Sequence, residues 1–308
     1  MSDLPELFEA TRDFPDPAAA DRYGRLVGLD AVKEILHKEA LVRLNLKLLK
    51  EWSRKHHGQE IAAVGYFQDR PPLFVFAGDV GTGKTQLAET FGDRLAVDTA
   101  LPIALRKLTL NARGSGKVGE MTTLISSAFV QVEREARTMI KSEKRTGGIV
   151  LLIDEADALA QSRELEQMHH EDRAGVNALI RGVDHIAQEQ LPVLVVACTN
   201  RLEALDPALL RRAAHTFTFT RPKKEQRKTV LQDALAGLAL SSKQIEQLAV
   251  ATGETDGRKY GATYSDLTQR LVPLAVLDAF PSHPLEFARL MELAQELIPT
   301  APFGSSAG

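Results

Sequence analysis

The stretch "GDVGTGKT", Gly78 to Thr85, decides the fold of this 308-residue chain. It follows a short apolar run, "LFVFAG" (73–78), and precedes a helical pattern, "TQLAETFGDRL". A glycine-rich turn between strand and helix forms an anion cradle. Gly78, Gly81 and Gly83 let the backbone turn tightly. The N–H groups of the loop, those of Val80 and Thr82 among them, then aim inward beside a helix N-terminus. Lys84 adds a cation for the β- and γ-phosphates, and the Thr85 hydroxyl is the expected Mg2+ ligand. The alternative, a glycine-rich turn with a surface lysine, does not account for the flanking strand and helix. ATP with Mg2+ is the expected ligand.

Downstream, "IVLLIDEADAL" (149–159) reads as a buried strand that ends in two carboxylates. Asp154 is expected to hold Mg2+, directly or through water. Glu155 is expected to polarise the attacking water as a general base. Asp157 reads as a helix-cap carboxylate. The run "VLVVACTNR" (193–201) is another buried strand with a polar end. Asn200 at its tip is expected to hydrogen-bond the γ-phosphate or the water, against the simpler reading of a loop Asn satisfying a turn. Cys198 on the same strand reads as a small buried residue.

Around these motifs the pattern alternates. "ALRKLTL" (104–110), "GIVLLID" (148–154) and "HTFTFT" (215–220) are further strands, with "TTLISSAFVQVEREARTMI" and "RAGVNALIRGVDHIA" as clear helices. Apolar strands with helical crossovers predict a largely parallel sheet covered on both faces. Upstream, "DAVKEILHKEALVRLNLKLLKEWSRKHH" reads as one long helix. After "RPKK" (221–224) the strand signals stop. "SSKQIEQLAVAT" shows a capping box, Ser241 with Gln244. Pro273 predicts a kink in the helix that follows. The expected domains are an N-terminal arm (1–22), a large α/β domain (23–221), a small helical lid domain (222–297) and a flexible tail (298–308).

Composition narrows the class. Hydrophobic residues are 44% and charged residues 26%, as in an ordinary globular protein. The net charge of −3 argues against nucleic acid as a main partner. The single cysteine excludes an internal disulfide and fits a reducing compartment. "MSDLPELFEATRDFPDPAAA" has no apolar core of a signal peptide, and no run approaches a membrane span. A cytoplasmic location and no membrane partner are expected.

These elements, in this order, resemble the AAA+ ATPases over roughly residues 23–280. The resemblance implies a three-layer P-loop sandwich with a parallel five-stranded sheet, followed by a small all-α lid domain. "RLVGLDAVKEIL" is similar to the family's opening segment, which places the backbone of Val27 and Gly28 against adenine. "LDPALLRR" is similar to the segment that carries arginine fingers, with Arg212 the main candidate and Arg211 its neighbour. Such a finger reaches the γ-phosphate in the next subunit, so the resemblance implies a homo-oligomeric ring, usually a hexamer. His215 stands where unfolding relatives often place a second arginine, and it carries no fixed charge.

Within the family, "NALIRGVDHI" (177–186) and "GATYSDLTQRLVPLAVLDAF" (261–280) look like the pachytene-checkpoint-type remodellers of HORMA-domain proteins. The short stretch before the ATPase module resembles the short bacterial type, which accompanies second-messenger synthases in anti-phage defence. Two departures stand out. The pore loop, aligned on "KVGEMTTLISSAF" (117–129), puts Lys117 where an aromatic is usual, so grip would rest on its stem and on Val118. The sensor arginine position appears as Ser265, which leaves Arg270 as the substitute or as an ordinary salt-bridged arginine. "RELEQMHHEDR" (163–173) reads as a charged second pore loop, since adjacent His169 and His170 diverge too far to bind one metal. The competing function is a nucleic-acid-associated loader or helicase accessory, with "NARGSGKVG" facing a strand.

Overall fold

A computed structural model describes residues 7–68, 70–110, 120–142, 144–159 and 169–303, and for 169–173 the backbone alone. The chain divides into two compact units. The first holds Met1–Tyr23, Ala31–Ala77 and Thr85–Thr218, and the second holds Gly24–Asp30, Gly78–Lys84 and Phe219–Gly308.

The first unit is built on a sheet. Its strands are β1 (Ala10–Phe14), β2 (Leu73–Gly78), β3 (Ile103–Thr109), β6 (Gly148–Asp154), β7 (Val193–Thr199) and β8 (Ala213–Phe219), and a hairpin of β4 (Ile140–Lys141) and β5 (Lys144–Arg145) stands apart. The order across the sheet is β1-β3-β6-β7-β2-β8. β3, β6, β7 and β2 pair in parallel. Every residue of β6 and β7 is buried, as expected of strands covered on both faces.

The sheet has six strands rather than the expected five. The extra one, β1, pairs antiparallel with β3, Ala10 opposite Lys107 and Phe14 opposite Ile103. It comes from the segment read as an arm. "ATRDF" carries no apolar run because an edge strand is hydrogen-bonded along one side, and here only Phe14 is buried. Its backbone bonds, not its composition, make it a strand.

The helices of this unit are α1 (Pro17–Gly24), α2 (Asp30–Leu44), α3 (Leu46–His57), α4 (Lys84–Thr99), α5 (Glu120–Thr138), α6 (His169–Gln188) and the short α7 (Pro207–Leu210). The long helix read from 30 to 57 is two helices. Asn45 breaks it, because its side chain accepts the Lys47 N–H at 3.1 Å and starts a new helix. Helix α5 turns Ile125, Ala128, Phe129, Val132 and Ala136 into the core, at the spacing its sequence shows. They meet Leu179, Val183 and Ile186 of α6 and the inner residues of β6 and β7.

The second unit is helical: α8 (Lys224–Ala234), α9 (Ser242–Ala251), α10 (Val272–Ala279) and α11 (Phe287–Glu296). They enclose Leu231, Leu248, Leu267, Leu271 and Leu290, with Val27 packed against them. The capping box before α9 is present, with Gln244 N–H donating to Ser241 Oγ at 3.3 Å and Ser241 N–H donating to Gln244 Oε1 at 2.8 Å. The kink expected at Pro273 is replaced by a π-helical turn, Asp266–Leu271, just before it. Pro273 sits in the first turn of α10, where its missing N–H is tolerated. Residues 298–303, read as tail, include Thr300, which hydrogen-bonds Asp266 through its N–H at 3.0 Å.

Candidate functional site

Strand β6 delivers Asp154 at its C-terminal end, and the chain turns at once. Thr85 Oγ1, in the first turn of α4, donates to Asp154 Oδ1 at 3.2 Å. The Glu155 N–H donates to the same oxygen at 3.0 Å. Glu155 has φ 54°, a region that non-glycine residues seldom occupy. Such backbone strain costs on the order of 1–3 kcal/mol and gathers at functional sites. Two predicted ligands, Thr85 and Asp154, are thus together in the first unit, with the predicted base next to them.

The sequence reading missed the neighbour that completes this cluster. Lys107 on β3 puts Nζ 3.5 Å from Asp154 Oδ2 and 2.9 Å from Glu89 Oε1. It is mostly buried. Burial alone would lower its pKa, but the Glu89 hydrogen bond and the charges of Glu89, Asp154 and Glu9 outweigh this and raise it. Lys107 is therefore a fixed cation against the carboxylate. A lysine inside a strand gives no local signal of such a role; only the parallel register of β3 with β6 reveals it.

Asp157 also takes a different role from the expected helix cap. It is buried, accepts Thr199 Oγ1 at 3.2 Å and accepts the Asn200 N–H at 3.3 Å through the same Oδ1. It ties the tip of β7, and with it Asn200, to the turn after β6. The physical reason is proximity: β6 and β7 are neighbours, so a carboxylate after one reaches the backbone ending the other.

The glycine-rich loop expected to bind phosphate, Gly78 to Lys84, belongs to the second unit. Lys84 Nζ donates to the carbonyls of Gly78 at 2.9 Å and Asp79 at 2.7 Å. The Thr82 hydroxyl donates to Asp79 O at 2.7 Å. Two glycines are sterically required. At Gly81, φ 72°, a Cβ would stand 2.7 Å from Thr263 Oγ1, and the Gly81 carbonyl accepts the Ser265 N–H at 3.2 Å. At Gly78, φ 150°, a Cβ would meet the Phe219 carbonyl oxygen at 2.0 Å. Gly28 is also in this unit, its carbonyl accepting Gln226 Nε2 at 3.4 Å. Arg270 donates to Asp266 Oδ1 at 2.8 Å and to the Ile298 carbonyl at 3.0 Å.

The arginine pair follows α7. Arg212 Nε donates to Asp184 Oδ1 at 2.8 Å, and its Nη1 donates to Ala208 O at 3.1 Å. The Asp184 hydrogen bond raises the guanidinium pKa above its ordinary value. Arg211 is exposed and makes no side-chain bond among the described residues. The His215 ring lies 4.3 Å from that of Phe217, so it is stacked on the core edge. Lys117, Val118 and the second loop up to residue 168 lie outside the described residues, as do the side chains of His169 and His170.

The donor set fits Mg2+. A hydroxyl and a carboxylate are hard oxygen ligands, and a nucleotide-bound Mg2+ needs few of them from protein. When bound, the ion neutralises charge on the β- and γ-phosphates. Lys84 supplies a cation within the loop. The Glu155 and Asn200 backbones are each fixed by a carboxylate, Asp154 and Asp157 respectively.

Residues 74–221 match the model of the ATPase family associated with various cellular activities (AAA). The chain is 49% identical over 301 residues to CD-NTase-associated protein 6 of Escherichia coli strain MS 115-1, covering 97% of each chain. It superposes on a chain of the E. coli MS115-1 HORMA:CdnC:Trip13 complex with a TM-score of 0.89 and 48% identity, covering 97% of this chain and 99% of that one. It superposes on Rhizobiales Trip13 with a TM-score of 0.75 and 43% identity, covering 96% and 100%.

Proposed function

This chain belongs to the AAA family of ATPases, and on that premise we propose that it is an ATP-driven protein remodeller acting on a HORMA-domain partner in bacterial second-messenger anti-phage defence. The observation that carries the reading is the joint of two likenesses. Thr85 and the Glu155 N–H meet at Asp154, and the chain resembles, over nearly its whole length, a Trip13 chain solved with HORMA and CdnC.

In this reading Lys84 and the loop N–H groups hold the phosphates, and Thr85 and Asp154 hold Mg2+. Glu155 takes the proton of the attacking water, and Asn200 positions it. Val27 and Gly28 line the adenine. Arg212 leaves Asp184 and reaches the γ-phosphate of the neighbouring subunit, with Arg211 as support. The active form is then a ring, a hexamer by family likeness. Lys117 and Val118 grip the partner chain. Among the described residues no helix is long and apolar enough to cross a membrane. We place the protein in the cytoplasm with its partner.

The test is a substrate trap. A Glu155→Gln variant holding ATP should retain a HORMA-domain protein in a pulldown, and wild type should release it. Retention that is the same with and without ATP would sink the remodelling reading.

A further inference from the structure

Asp79 puts a carboxylate at the second position of a loop otherwise built to attract anions. Its Oδ1 accepts the Val80 N–H at 2.9 Å, and its Oδ2 accepts Arg221 Nε at 2.6 Å. The two side chains are only 17% and 15% exposed, so water and salt screen them little. Arg221 is gripped on its other edges. Nη1 donates to the Gly261 carbonyl at 2.9 Å and Nη2 to the Thr300 carbonyl at 2.6 Å. Its guanidinium carbon lies 4.7 Å from the Tyr260 ring centroid.

Thr300 is fixed in turn by Asp266, which is fully buried in the π-helical turn. Asp266 accepts the Thr300 hydroxyl at 2.6 Å and the Thr263 N–H at 2.9 Å. Thr263 is the residue whose hydroxyl crowds Gly81. All of these groups lie within the second unit. The segment around Thr300 is thus a strap bonded to the arginine that holds the phosphate loop.

We propose that Arg221 is a positioning residue of the nucleotide site: it neutralises Asp79 so that the loop accepts a polyphosphate, and the C-terminal strap holds it there through Thr300. An unpaired carboxylate beside the phosphate cradle would repel the ligand across a short, partly dry distance. The planar fork explains why the residue is arginine, since it reaches one carboxylate and two carbonyls in different directions. The proposal rests on reading Gly78–Thr85 as the phosphate loop.

A purely structural ion pair makes a different prediction. If the pair only braces the fold, removing either partner weakens nucleotide binding alike. If Arg221 neutralises Asp79, the two removals have opposite signs. The experiment measures fluorescent ADP affinity on the full chain, with melting temperature recorded for each variant. Wild type should bind and Lys84→Ala should not; failure of that contrast overturns the loop reading and this inference with it. Given the contrast, Arg221→Met should weaken binding by about ten-fold, as when one member of a buried charge pair is removed. Asp79→Asn should tighten it, and adding Asp79→Asn to Arg221→Met should restore most of the loss. If Arg221→Met is too unstable, Arg221→Gln also removes the charge, keeps a polar side chain and carries the same rescue. Asp79→Asn weakening binding as much as the Arg221 variant, with no rescue in the pair, would overturn the proposal.

Discussion

Lys107 Nζ stands 3.5 Å from Asp154 Oδ2, on the strand next to the one that carries Asp154. The other oxygen of that carboxylate is taken by Thr85 and by the Glu155 N–H. Asp154 is therefore held from both sides. Lys107→Met should lower ATP turnover by about ten-fold, the usual effect of removing a group that orients a metal ligand. The half-saturating Mg2+ concentration should shift with it. ATPase assays across a Mg2+ titration check this, and an unchanged Mg2+ dependence would leave Lys107 with a packing role alone.

Glu155 is a different case, because the role proposed for it is in chemistry rather than binding. Glu155→Gln should reduce hydrolysis by roughly 10²–10⁴-fold while ADP affinity stays within about two-fold, since general-base catalysis contributes on that scale. Single-turnover hydrolysis and nucleotide titration separate the two quantities. Hydrolysis at the wild-type rate would remove Glu155 from the mechanism.

The Arg212–Asp184 pair sits at an exposed edge, with each side chain about one-third exposed (33% and 35%). Arg212→Ala should therefore cost little stability, within about 1 kcal/mol for a surface pair. It should nonetheless abolish most ATPase activity if the arginine works in trans. Mixing Arg212→Ala subunits with Lys84→Ala subunits should restore part of the activity. No recovery at any mixing ratio would count against a finger reaching the neighbouring site.

Asp157 joins two strand ends through one oxygen. Asp157→Ala leaves the Asn200 N–H and the Thr199 hydroxyl hydrogen without an acceptor, while the Thr199 oxygen still accepts the Arg201 N–H. A loss of about 1–3 kcal/mol of stability follows from exposing such groups without partners. Turnover should fall further than the nucleotide affinity does, since Asn200 loses its anchor. Chemical denaturation and steady-state kinetics on the same variant test both halves.

Asp266 makes an acid-sensitive joint. Burial pushes its pKa up, but the bonds from Thr300, Thr263 and Arg270 outweigh burial and the net shift is downward. A depressed carboxylate stabilises the fold above its unfolded pKa, and that contribution is lost as pH falls through the folded value. Its stabilisation is thus complete at neutral pH and fades below the ordinary aspartate value of 3.8. Asp266→Asn should melt lower than wild type at pH 7, and the two should converge in acid. Parallel melting curves over the whole pH range would contradict this.

Much of the fold was legible because its signals are local. "LFVFAG" and "GIVLLID" mark β2 and β6 to the residue, since buried parallel strands read as unbroken apolar runs. The placement of the glycine-rich loop between β2 and α4, and of Asp154 at the end of β6, was readable for the same reason: each is a short contiguous piece of chain. Asn45 was misread because an asparagine within an amphipathic pattern shows its capping role only when its side chain turns back to the Lys47 N–H. β1 was missed because its stability comes from a ladder with β3, far along the chain.

What the sequence by itself determined is the chemical inventory: a glycine-rich loop with its lysine, two carboxylates at a strand end, a polar residue just past the next buried strand and an arginine pair before the last. Tertiary structure alone decided which charges control them. Lys107 faces Asp154, Asp157 anchors the Asn200 backbone, and Arg221 meets Asp79. Each is a common charged residue whose partner lies tens of residues away. Its role arises from a register or a turn that brings the two within a few ångströms, where burial makes charge count.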